Sequence, residues 1–98
     1  MYLDAAIIYQ IQTIASYFPD IERILLFGSR IRGDHSKTSD IDLAVYTTGD
    51  LSEFIYCLET DVTTLLEFDV TAMNQVEDDF FKEHVEKEGQ IIYERLRL

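Results

Sequence analysis

The stretch Leu25–Tyr46, LLFGSRIRGDHSKTSDIDLAVY, decides how the whole chain is read. Its entry, Ile24 to Phe27, is an apolar run of strand-forming residues closed by Gly28, the pattern of a buried strand ending in a tight turn. Ser29 then suits a helix cap, and a short helical segment can end at Gly33 in the left-handed conformation. A second strand, Asp40–Tyr46, alternates strictly: Ile41, Leu43 and Val45 fall on one face, Asp40, Asp42, Ala44 and Tyr46 on the other. Two carboxylates therefore point the same way, opposite an apolar stripe.

Side chains two apart on a strand lie roughly 6.6 Å from each other. Carboxylates that close repel, and hard, oxygen-liking cations such as magnesium relieve the repulsion. The Gly28–Ser29 turn offers backbone N–H groups, a hydroxyl and a helix N-terminus, all suited to phosphate oxygens. An acidic pair alone is an ordinary wet sheet face, and a Gly-Ser turn alone is an ordinary turn. Their combination at this spacing, between two strands, is specific. Further on, Phe68 and Val70 alternate with Glu67, Asp69 and Thr71, which reads as a short third strand with acid on one face; an edge strand with solvated acids fits the same pattern.

The Gly-Ser turn followed by Asp40-Ile41-Asp42 resembles the signature of the nucleotidyltransferase superfamily that includes the DNA polymerase beta type enzymes, and most of all its smallest members, the minimal nucleotidyltransferases. The resemblance implies that Asp40 and Asp42 ligate two magnesium ions, with manganese as a substitute, and that Asp69 is the third acid, with Glu67 as a fallback on its face. It implies that Gly28 and Ser29 hold the terminal phosphates of ATP and that Arg32 touches the triphosphate. Arg30 and Arg32 project differently from a short helix, and the residues leave open which of them meets phosphate. The implied reaction moves AMP from ATP to an acceptor hydroxyl. Stand-alone members of this size resemble antitoxins that neutralise helical HEPN-type toxins by adding AMP to a tyrosine. Two other readings stand beside it: an idle module that blocks its partner by contact, and a transferase acting on a small molecule.

Around this centre the chain alternates helices and strands. Leu3, Ile7, Ile11, Ile14 and Phe18 form the stripe of an amphipathic helix stopped by Pro19. The spacing of Leu51, Phe54, Ile55, Leu58, Val62 and Leu65 predicts a helix over 50–66 capped by Ser52. A helix between two strands implies a crossover. A polar helix is expected from a cap at Asn74 to Gly89, with Val76, Phe80, Phe81, His84 and Val85 inside, and Ile91–Tyr93 is a last strand before a tail carrying Arg95 and Arg97. His35 and Lys37 read as solvated loop residues. The expected fold is α/β (α+β): a small mixed sheet of about four strands with helices packed mainly on one side.

At 98 residues, 47% hydrophobic and 28% charged, the chain reads as one globular domain over 1–98. A net charge of -11 with only eight Lys and Arg argues against a nucleic-acid surface and suits a basic protein partner. The single Cys57 reads as a packed thiol in a reducing compartment. No basic residue precedes Arg23 and no apolar run reaches membrane-spanning length, so the expected location is cytoplasmic, with no membrane partner.

Overall fold

A computed structural model describes residues 1–96. Helix α1 (Ala5–Ala15) begins where Asp4 Oδ1 accepts the Ala6 N–H at 2.8 Å and buries Ile11 and Ala15. It ends at Ser16, ahead of Pro19. Strand β1 (Ile21–Phe27) leads through the single-turn helix α2 (Ser29–Arg32) to β2 (Ile41–Thr47). Helix α3 (Ser52–Asp61), β3 (Phe68–Ala72), a 3₁₀ turn at Met73–Gln75, α4 (Asp79–Glu88) and β4 (Gln90–Glu94) complete the chain.

The sheet runs β3-β2-β1-β4. β1 is antiparallel to both β2 and β4, while β2 and β3 are parallel, as the intervening α3 crossover requires. The strict alternation in β2 becomes a division between the two sheet faces. Ile41, Leu43 and Val45 join Ile24 and Leu26 beneath Ile11 and Ala15 of α1 and Phe54 and Leu58 of α3, forming the larger core. The opposite face holds a smaller core of Leu25, Ala44, Met73 and Val85, roofed by α4 and the 3₁₀ turn. The mixed four-stranded sheet with two of its three longer helices on one face is the expected architecture.

Several local expectations change. Ser52 is the first residue of α3 and its cap is Leu51; Asp50 Oδ1 instead accepts the Ser52 N–H at 2.6 Å. The helix stops at Asp61 and leaves Leu65 fully exposed, because apolar spacing alone does not force a chain to stay helical without a surface to cover. Asn74 caps no helix: its Oδ1 accepts the Thr47 N–H at 2.7 Å. The cap of α4 is Asp78, which accepts from Phe80 N and Phe81 N. That later start turns Phe80 outward, and His84, expected inside, is exposed too, while Phe81 meets Phe27 edge-on at 5.8 Å. In the tail, Arg95 donates to the carbonyls of Ile21 and Phe18; Arg97 lies outside the described residues. Among the described residues no helix is long and apolar enough to cross a membrane.

Candidate active site

The site grows from the end of β1. Phe27 pairs with Asp42 across the β1–β2 ladder, so the next residue, Gly28, turns directly over the Asp42 side chain. Gly28 has φ +80°, a conformation that side chains disfavour, and a Cβ built on it would collide with Asp42 Oδ2. Its carbonyl accepts the N–H groups of Ile31 and Arg32 at 3.0 and 3.2 Å, and Gly33, with φ +91°, closes the turn by donating to Ser29 O at 2.8 Å. One helical turn sums few peptide dipoles. The chemistry offered here is therefore the local N–H groups and the Ser29 hydroxyl.

The carboxylates lie alongside. Asp42 and Asp69 are register partners across the parallel β2–β3 ladder; Asp42 is half-buried, and Asp69 and Asp40 are exposed. Burial first, then the charges of Asp69 and Asp40, hold the Asp42 carboxyl above its usual range, against a smaller opposing pull from Arg32 and Arg30. Oxygen donors that crowd one another in this way fit a hard divalent cation. Among the described residues, however, no three such side chains are gathered closely enough to hold an ion. The acids share a field without converging. Glu67 is exposed and enters the ladder by its backbone, its carbonyl accepting the Ile41 N–H at 2.9 Å.

The two arginines separate clearly. Arg30 is buried, and its Nε and Nη2 donate to Ser39 O at 3.3 and 3.0 Å while Nη1 donates to Tyr2 O at 3.2 Å. It braces the loop that leads into β2. Arg32 is half-exposed, and its guanidinium reaches Asp34 Oδ2 at 3.2 Å and Glu88 Oε1 at 3.1 Å. The hydrogen bond to Asp34, with the charges of Asp34 and Glu88, raises its pKa further.

The sequence pattern described as "Polymerase beta, Nucleotidyltransferase" matches residues 9–97. The chain belongs to this family and is a nucleotidyltransferase. A Methanocaldococcus jannaschii protein provisionally named protein adenylyltransferase MJ0604 is 32% identical over 88 residues, covering 81% of this chain and 85% of the relative. A Sulfolobus solfataricus structure provisionally described as a nucleotidyltransferase is 26% identical with a TM-score of 0.55, covering 92% of this chain and 78% of that one. A toxin–antitoxin crystal structure with AMP-PNP superposes with a TM-score of 0.69 at 21% identity, over 95% of this chain and 75% of that one. At that identity the likeness shows the fold.

In this nucleotidyltransferase two residues carry more than their sequence suggested. Glu88, in the last turn of α4, accepts the Gly28 N–H on Oε1 at 3.1 Å, the oxygen that also takes Arg32 Nη1. It follows Phe81 and Val85 at helical spacing on the inward face, and that spacing was the available signal. His35 is half-buried against Tyr2, with ring centroids 5.4 Å apart, and its Nδ1 is buried without a partner. Tyr2 is held in turn by its N–H to Arg30 O at 2.7 Å, a contact of the chain start that no local pattern announces. Lys37 is exposed in the loop, as expected.

Proposed function

We propose that this nucleotidyltransferase moves AMP from ATP to a tyrosine hydroxyl of a partner protein in the cytoplasm, and that it serves as the antitoxin of a helical HEPN-type toxin. The observation that carries the reading is the contact of the Gly28 turn with the Asp42 side chain, with Asp69 in register beyond it. A turn rich in N–H groups thus abuts a set of carboxylates. The name of the Methanocaldococcus relative and the toxin–antitoxin neighbours support the protein acceptor and the pairing with a toxin.

Gly28 N–H, the Ser29 hydroxyl and Arg32 bind and orient the terminal phosphates, Arg32 through its fork of donors. Asp40, Asp42 and Asp69, which do not converge in this structure, would have to close together to hold magnesium, or manganese in its place. When bound, the ions neutralise phosphate charge and favour loss of the acceptor's proton. Asp69, exposed on the edge strand, meets the acceptor and draws off the hydroxyl proton. The acceptor oxygen bonds to the α-phosphorus as the bond to the bridging oxygen breaks, and pyrophosphate leaves.

The test is labelling with alpha-labelled ATP of a co-expressed HEPN-type partner. Wild type should add one or more AMP masses to the partner, and Asp69→Asn should retain ATP binding yet lose labelling. A partner neutralised equally by both proteins, with no mass gain, would establish inhibition by contact and refute transfer.

A further inference from the structure

Glu88 stands where the proposed phosphates should go. Its Oε1 lies 3.1 Å from Gly28 N and 3.1 Å from Arg32 Nη1, and its side chain is only 16% exposed. These are two of the donors proposed to hold the triphosphate. A carboxylate oxygen that receives a backbone N–H and a guanidinium at once is held as a phosphate oxygen would be. We infer that Glu88 is an affinity-setting residue of the nucleotide site: its carboxylate occupies the terminal-phosphate seat of the ligand-free protein, and ATP binds only by displacing it. The inference rests on the cradle reading above.

The displaced side chain has somewhere to go. Its second oxygen, Oε2, lies 3.3 Å from His84 Nε2, one turn earlier on α4 and on the exposed side of that helix. Rotation of that one side chain would free Gly28 N–H and Arg32 Nη1 together, while Arg32 Nε keeps its hold on Asp34. A ligand that needs a partly occupied seat binds with an apparent affinity reduced by the fraction of molecules in which the seat is empty. The effect falls on ligands that reach the seat. ATP does, and AMP, lacking the terminal phosphates, does not.

Glu88→Gln and Glu88→Ala remove the charge that holds the seat. Calorimetric titration with ATP and magnesium should show binding tighter by about tenfold in both variants, with AMP binding unchanged. Both variants should also melt slightly below wild type without ligand, since contacts to Gly28 and Arg32 are lost. A residue that merely positions Arg32 would give the opposite sign, with weaker ATP binding in both variants, and that result would overturn the inference. So would equal tightening for AMP, which would indicate general relief of negative charge. If wild type binds ATP and the variants bind no tighter, the placeholder role fails while the cradle stands. If no form binds ATP, cradle and placeholder fail together.

Discussion

The two faces of the sheet are made from the same strands and do opposite things. Beneath α1 and α3 the strands present a mainly apolar surface, fully buried from Ile24 and Leu26 to Leu43 and Val45 and partly buried at Phe68 and Val70. Beneath α4 the apolar patch is small, and beside it lie Asp42, half-buried, and Asp69, exposed, with the Gly28 turn above. The first face supplies most of the burial that holds the strands in place. The second keeps Asp42 where burial, and then the charges of Asp69 and Asp40, disfavour its ionised form, a cost to folding at neutral pH. Period-2 strands let one face bear the stability and leave the other to hold the acids proposed for the chemistry.

The sharpest way to break this division is Phe54→Ala. Phe54 is fully buried in the larger core, so about 3–5 kcal/mol of stability should be lost by urea denaturation. ATP affinity of the remaining folded molecules should stay as in wild type, and a collapse of affinity in folded protein would show that the faces are coupled. Gly28→Val attacks the other side. Strain at positive φ should cost about 1–3 kcal/mol in stability, and the collision with Asp42 should abolish ATP binding in calorimetry. Ser29→Ala is milder, expected to weaken ATP binding by about 1.5 kcal/mol while Tm stays put; weaker binding that comes with a large fall in Tm would assign Ser29 to the fold.

The smallest expected effect has the opposite sign. Folding raises the Asp42 carboxyl above its ordinary value of 3.8, so between that value and the raised one the folded protein binds more protons than the unfolded chain. Stability therefore falls as pH rises through this window, and the penalty is fully present at neutral pH. Asp42→Asn should raise the Tm of the metal-free protein by about 2 °C at pH 7, with no gain below the ordinary carboxylate range, while magnesium-dependent ATP binding weakens. A Tm that drops at neutral pH would mean that Asp42 supports the fold instead of straining it.

Much of this was legible in the residues. The alternation in β2 announced both faces, Gly28 announced the turn, and Asp69 announced a strand whose register the parallel ladder supplies. What stayed hidden depended on partners distant in sequence. Arg30 stands beside Arg32 as an open alternative for phosphate until Tyr2 and Ser39 offer it carbonyls, and Glu88 reads as one acid among many on a polar helix until α4 lies across Gly28. The start of α4 was misplaced because Asn74 and Asp78 are equally good caps by type, and only the Thr47 N–H claims the first. Leu65 continues the spacing of α3, yet no surface waits for it beyond Asp61.

The contact between Gly28 and Glu88 spans 60 positions, and β4, which follows α4 directly, takes the sheet edge beside β1. Local hairpins close in microseconds, but pairings of such long separation form late, because loop closure must come first. The β1–β2 pairing, with its turn, can therefore form before α4 and β4 bring Glu88 to Gly28. Completion of the Gly28–Glu88 contact thus falls late in folding, and its long span adds to the contact order that slows the fold's formation.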